Sequence, residues 1–322
     1  MRMPFDIKEI SVYRSELMGW AIVWIMMLHF TFIQIKPLGF VAQYGFAGVD
    51  IFMMVSGFGL FFSLDKDDNI RRYYKRRLLR IFPTYYILGV FASIILFHDT
   101  IPNYLFRYST IGFWTNGIYW EWYVPSIVVL YIIAPFLKII IDRRKFAIII
   151  SLVAFILIIT YIIISHKIIE AKEPHFFMLY RIPAFIFGMV CAFWIKSATS
   201  TKTFFLVLIG GIPCFVLLFP HHHEIYNYKY FSLAFLLPLF ILFFITVSKY
   251  IRFLNPILAT IGKASLEIYL IQAIFFHAIN TGQLVIPLIW HDISTLILII
   301  SSSLLGISAH WLIDKSGILR KF

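Results

Sequence analysis

Charge is scarce in this chain. Only 14% of its residues are charged and 61% are hydrophobic, against roughly a quarter and a half in a soluble domain. A water-soluble globule is therefore excluded. Cysteine is scarcer still. Cys191 and Cys214 are the two in 322 residues, and both fall inside apolar runs, so no disulfide framework is expected and the redox compartment is unmarked. The first hydrophobic stretch lacks a small-residue cleavage site and is too long for a signal-peptide core, so it is expected to stay as a helix. Short-period repeats, low-complexity linkers and polar stretches large enough for a soluble domain are all missing.

What fills the chain is bulky apolar residue, with aromatics at 19% and 35 Phe. Ten runs are each long enough to cross a hydrocarbon core of about 30 Å. They are Leu17 to Ile35, Phe46 to Leu64, Ile81 to Phe97, Tyr123 to Ile141, Phe146 to Ile164, Phe176 to Ile195, Thr203 to Phe219, Tyr228 to Val247, Ile257 to Ala278 and Ile293 to Ile313. The expected fold is all-α: a polytopic membrane protein of about ten transmembrane helices, forming a single transmembrane domain over residues 1–322. The longest polar connections are Asp65 to Arg80 and Asp99 to Glu121.

The basic residues give the orientation. With the N-terminus in the cytoplasm and ten crossings, most of the 28 Lys and Arg face inward. Outside remain Lys36, Arg107, Lys167, Lys172 and Lys229, with Arg181 inside a span. The positive-inside rule selects that arrangement, placing both termini in the cytoplasm of a multi-pass protein of the inner (plasma) membrane. The net charge of +12 is then a topology signal facing a lipid bilayer, and no nucleic-acid partner is needed to explain it.

Against this background four ionisable residues stand out. In "AIVWIMMLHFTF", His29 lies about 20 Å above the inner start of its run, toward the outer half. Asp50 sits about 7 Å below the outer edge of the second run, and Arg181 in "MLYRIPAFIFG" reaches a similar level. Glu267 in "ASLEIYLIQ" comes to mid-membrane from inside. Ionisable side chains at such depth cost a few kcal/mol or more, so each should face a cavity or a partner. Structural roles compete with functional ones: His29 as a core histidine bonded to a carbonyl, Asp50 and Arg181 as an ion pair clamping two helices, Glu267 as a helix-packing hydrogen bond. On the inner face, "NIRRYYKRRLLRIFPTYY" places Arg77 and Arg80 on one helical face. The cluster suits anchoring to anionic lipids, and equally a phosphate site, since guanidinium binds phosphate oxygens bidentately.

Six motifs in order, "MGWAIVWIMMLH", "YGFAGVDIFMMVSGFGLF", "YYKRRLLRIFPTYY", "WYVPSIVVLYIIAPF", "YRIPAFIFGMV" and "IGKASLEIYLIQ", resemble the membrane acyltransferase 3 family from Arg14 to about Phe276. The resemblance implies an O-acyltransferase moving an acyl group, usually acetyl, from cytoplasmic acetyl-CoA to a hydroxyl of a surface or cell-envelope glycan or a lipid-linked sugar. Acyl-CoA would be the donor substrate, and no permanently bound cofactor is expected. By the same resemblance His29 would be the catalytic histidine, Asp50 the acid of the "GVD" motif, and Ser56 and Gly57 its small continuation. Arg77 and Arg80 match the paired arginines before the third run, while Trp122, Tyr131 and Pro135 match the fourth and Arg181 the sixth. Tyr269 and Gln272 fall in the ninth-run motif.

Two positions depart from the family pattern. Where relatives commonly carry an arginine eleven residues before the histidine, this chain has Met18. Arg14 lies one turn toward the cytoplasm on the same face and is the candidate replacement. Gln272 stands where the tyrosine-leucine motif often ends in histidine, so hydrogen bonding is kept and proton transfer lost. The resemblance implies that His29 takes the acceptor hydroxyl's proton or forms an acyl-histidine, with Asp50 orienting the ring. Arg181 would bind the donor or the oxyanion, and Arg14, Arg77 and Arg80 the coenzyme's phosphates. The loop residues Tyr104, Tyr108, Trp114, Tyr119 and Trp120 could stack on sugars or form an interfacial belt. Because the sequence stops soon after its last run, an appended esterase-like domain is not expected. The three histidines of "FPHHHEIYN", His221 to His223, diverge as consecutive side chains do, and no metal site is expected. A secondary transporter using His29, Asp50, Arg181 and Glu267 is the alternative, although two related halves are not evident.

Overall fold

The computed structural model describes residues 5–30, 36–67, 69–116, 121–142, 178, 181–197, 201–218, 234–285 and 291–317. They are helical, and no strand occurs among them. In chain order the helices are α1 Glu9–Val12, α2 Arg14–His29, α3 Lys36–Ala42, α4 Ala47–Lys66, α5 Ile70–Ala92, α6 Ile101–Tyr108 and α7 Ile111–Asn116. They continue with α8 Tyr123–Asp142, α9 Ile182–Lys196, α10 Thr201–Leu218, α11 Leu237–Tyr250, α12 Asn255–Lys263, α13 Ser265–Asn280 and α14 His291–Lys315.

The apolar runs become helices because an apolar segment in lipid can satisfy its backbone only within itself. Four described helices are long and apolar enough to cross a membrane: Ala47–Lys66, Ile70–Phe97, Tyr123–Asp142 and Ile293–Lys315. The number rises to five if Leu237–Tyr250 with Arg252–Lys263 forms one broken span. Ten crossings are not established by these helices. The fifth run, Phe146 to Ile164, lies outside the described residues. The ninth, read as continuous from Ile257 to Ala278, divides at Ala264 into α12 and α13.

Both polar connections are more ordered than their composition suggests. The basic segment from Ile70 is the first part of α5, which runs through Pro83 without ending. The Asp99 to Glu121 loop contains α6 and α7. Between α5 and this loop, Ser93–Phe97 form a wider π turn. His98 then enters the left-handed region at φ 49°, and the reversal brings Asp99 back onto the Ser93 hydroxyl, which donates to its Oδ2 at 2.9 Å.

The chain packs as two compact units, each built from separated segments. The first comprises residues 1–14, 50–70 and 126–252, the second residues 15–49, 71–125 and 253–322. Small residues set the helix spacing within each. In the first unit, Gly188 on α9 lies against the Met54 carbonyl of α4, and Gly57 on α4 lies reciprocally against the Phe185 carbonyl. In the second, Gly262 on α12 lies against Ser15 on α2, and Gly19 on α2 against Leu258. Backbones touch where side chains would otherwise hold them apart, the packing mode that helices adopt when lipid gives them no hydrophobic reason to associate. Extra methylenes in a tight core cost about 1–3 kcal/mol, and backbone obstructs Gly188. Gly188→Leu is expected to exceed that cost, seen as a lowered melting temperature of the detergent-purified protein, while a solvent-side change such as Val12→Ala leaves it unmoved.

Candidate functional site

His29 is the last residue of α2, half-buried. Its Nδ1 lies 2.8 Å from Oε1 of Gln272 on α13, and its ring rests at 4.8 Å and 32° on Phe276, one turn further along. An amide oxygen can only accept a hydrogen bond. The imidazole therefore carries its proton on Nδ1, by assignment from the acceptor that faces it, and Nε2 keeps a lone pair. This is a neutral base with one orienting partner. The backbone after it is fixed as well, for Thr295 Oγ1 of α14 donates to the Phe30 carbonyl at 3.1 Å.

Tyr269 and Gln272 occupy one face of α13, three residues apart. The Tyr269 hydroxyl accepts from the Tyr123 backbone N–H at 3.4 Å, and the two rings lie 5.2 Å apart. Glu267, in the first turn of α13, is buried. Its Oε1 accepts from Thr84 Oγ1 at 3.3 Å and faces His310 Nδ1 of α14 at 3.1 Å. It thus makes a shared contact among α5, α13 and α14.

In the other unit, Asp50 Oδ2 accepts from Arg181 Nη1 at 2.5 Å, both side chains being 2% exposed or less. Asp50 and Arg181 thus form the clamp between α4 and the start of α9. The candidate catalytic residues His29 and Asp50 belong to different units, and each has a partner inside its own.

The arginines divide. Arg14 lays its guanidinium over Gly59 of α4, at 2.7 Å from the place a Cβ would take. Arg77 is half-buried, its Cζ 5.8 Å from the Tyr73 ring centroid. Exposed Arg80 donates to the Lys263 carbonyl at 3.2 Å, meeting the negative end of α12. Ser56 is half-buried on α4, as are Trp122, against Tyr123 at 6.4 Å, and Tyr131 on α8. Tyr119, Trp120 and the histidines 221–223 lie outside the described residues. Among the described residues no His, Cys, Asp and Glu come together as a metal site.

Three participants escaped the sequence. His310 stands alone in the last apolar run and could have been flagged as His29 was. Thr84 carries no signal. Glu121 ends a polar connection in the sequence, yet it is 2% exposed, and burial pushes its carboxyl up to about 8, although the neighbouring Tyr85 hydroxyl and Arg107 pull it down.

An acyltransferase domain model, that of the acyltransferase 3 family, matches residues 17–312. The chain belongs to the acyltransferase 3 family. Among curated proteins it is similar to "Putative acetyltransferase ORF330" of Acidianus two-tailed virus, at 28% identity over 187 residues. The match covers 53% of this chain and 52% of that protein, so the chain spans about half the length of the curated relative. No solved structure matches. Family membership makes this an apolar helical membrane protein whose His29, on α2, stands within the matched region.

Two measurements follow. Removing one partner of a buried ion pair costs about 3–5 kcal/mol because the other charge is left behind. Arg181→Ala is therefore expected to lower the melting temperature sharply, and the double variant Asp50→Leu/Arg181→Met to recover most of the loss. The raised Glu121 carboxyl gives a signed pH effect. Between its ordinary 4.5 and about 8 the unfolded chain has released a proton that the folded chain still holds, so stability falls as pH rises through that window. Melting curves across it should decline for the native chain and flatten for Glu121→Gln.

Proposed function

We propose that the protein is a membrane O-acyltransferase. It moves an acyl group, acetyl in the first instance, from acyl-coenzyme A on the cytoplasmic face to a hydroxyl of a cell-envelope glycan or lipid-linked sugar. The observation that carries the reading is the His29–Gln272 hydrogen bond of 2.8 Å in a chain of the acyltransferase 3 family. A thioester is already activated, so the remaining need is a nucleophile. Nε2 of His29 takes the acceptor's hydroxyl proton as its oxygen attacks the thioester carbonyl, and the C–S bond then breaks as the thiolate leaves with the proton returned by the imidazolium. Gln272 is a positioning residue, holding the Nδ1 proton so that the lone pair stays on Nε2.

The donor's phosphates would meet Arg77 and Arg80, whose guanidinium forks suit phosphate oxygens. The chain sits as ten crossings of the inner (plasma) membrane with both termini in the cytoplasm, an orientation supported by the placement of its basic residues. Family membership favours acyl transfer over the transporter alternative.

With membranes carrying the protein, acetyl-CoA consumption with transfer to endogenous acceptor is expected to fall by roughly 10²–10⁴-fold in His29→Ala, the range that a positioned base supplies. Gln272→Ala should lower kcat on the order of tenfold, and Gln272→His, whose ring can also accept from Nδ1, should restore it. Full activity in His29→Ala would defeat the mechanism.

A further inference from the structure

Six of the first eleven residues of α5 are basic, and the helix carries no acidic one. The acyl-transfer scheme uses Arg77 and Arg80 alone. The helical period divides the six between two faces. Tyr73, Ile81, Thr84 and Leu88 are buried and form a single row with Arg77, in steps of three or four residues. That row is the packed face, and the Arg77 guanidinium lies near the Tyr73 ring on it. Arg80 is turned toward α12 by its bond to the Lys263 carbonyl. Arg71, Arg72, Lys75 and Arg76 point the other way and are exposed. Arg72 and Arg76 open a second row, which continues at helical spacing through Leu79 and Pro83 to Ile87, Val90 and Ile94. Beside it, Arg71 and Lys75 lead through Leu78 and Phe82 to Tyr86. No member of either row is buried, and the apolar end is well exposed, Ile94 at 65%.

Residues 70–97 are long and apolar enough as a helix to cross a membrane. The exposed apolar end of these rows therefore meets hydrocarbon, and the basic end meets the rim of the same lipid. Counting from Ile81, where the apolar stretch begins, Arg76 stands about 7 Å and Arg71 about 15 Å further out along the axis. Headgroups fill roughly the first 5–8 Å of that distance, and a Debye length of about 8 Å covers the rest. Phosphodiesters are the anions of that layer, and guanidinium forks bind their oxygens in pairs. A soluble phosphate gains little from exposed cations in salt. A lipid phosphate is already held beside them, because its acyl chains pack on the apolar part of the same rows. Charge and greasy surface on one side of one helix thus match the two halves of a single molecule.

We propose that Arg71, Arg72, Lys75 and Arg76 form a binding site for anionic phospholipid headgroups, back to back on α5 with the arginines assigned to the donor. That the opposite face takes the donor rests on the acyl-transfer reading, whereas the lipid site does not. The test is native mass spectrometry of the full chain, released from detergent with equimolar phosphatidylglycerol and phosphatidylcholine of identical acyl chains. The readout is the ratio of the two lipids bound. The native chain is expected to favour phosphatidylglycerol. Arg71→Gln/Arg72→Gln/Lys75→Gln/Arg76→Gln is expected to lower the ratio by roughly fivefold or more, the worth of a single charge near a membrane surface. Salt that shortens the Debye length to about 3 Å is expected to lower it in the native chain as well. Arg77→Gln/Arg80→Gln should keep the ratio, and so should saturating adenosine 3′,5′-bisphosphate. A native ratio near one overturns the proposal, as does a ratio that either salt or the quadruple variant leaves unchanged. Equal loss in Arg77→Gln/Arg80→Gln, or loss on adding the bisphosphate, assigns the charges to the nucleotide and overturns it too. A salt-sensitive preference in a protein that consumes no acetyl-CoA keeps the lipid site and sinks the acyl-transfer reading instead.

Discussion

Inside an apolar helical unit, a polar side chain has no water to fall back on, and each one must be answered by another helix. The 2.8 Å hydrogen bond from His29 to Gln272 answers the first such demand in the sequence and joins residues 243 apart. Apolar packing would tolerate many rotations of α2 and α13 about their axes. A hydrogen bond between two side chains near a shared aromatic ring tolerates few, so this contact sets both the register of the two helices and the tautomer of the ring.

The other unit uses a stronger version of that device. Asp50 and Arg181 are ionised groups of opposite sign, buried together, and their desolvation leaves the pair a poor source of stability but a strict source of specificity. Glycines do the complementary work. Gly57 and Gly188 bring α4 and α9 close enough for the pair to meet, much as Gly19 and Gly262 do for α2 and α12. Contact at glycine lets the polar residues reach, and the polar residues keep the glycines in register.

Much of this was legible in the sequence. Apolar runs marked the helices because their period and length are properties of the chain itself, and His29, Asp50, Arg181 and Glu267 stood out because an ionisable group in such a run is expensive. The Asp50–Arg181 clamp was already one of the two readings on offer. What hydropathy could not see were pairings and breaks. Gln272 is legible as a hydrogen-bonding residue without its partner, and the ninth run reads as continuous although Gly262, Lys263 and Ser265 lower its hydrophobicity where it divides at Ala264. Glu121 is not legible as a buried group because loop position implies solvent, yet it lies near Tyr85, Tyr108 and Tyr269, drawn from three separated segments, and is 2% exposed.

The interleaving of the two units carries a cost in time. Residues 15–49 open the second unit, yet it is not complete until residues 253–322 exist. At synthesis rates of about 5–20 residues/s, His29 waits roughly 10–50 s before Gln272 leaves the ribosome. During that interval a lone imidazole, and soon afterwards a lone carboxylate at Asp50, must be sheltered by insertion machinery or by borrowed contacts in the nascent bundle. The order in which helices are made is thus opposed to the order in which their polar groups find one another, and biogenesis becomes the stage at which such a protein is most vulnerable.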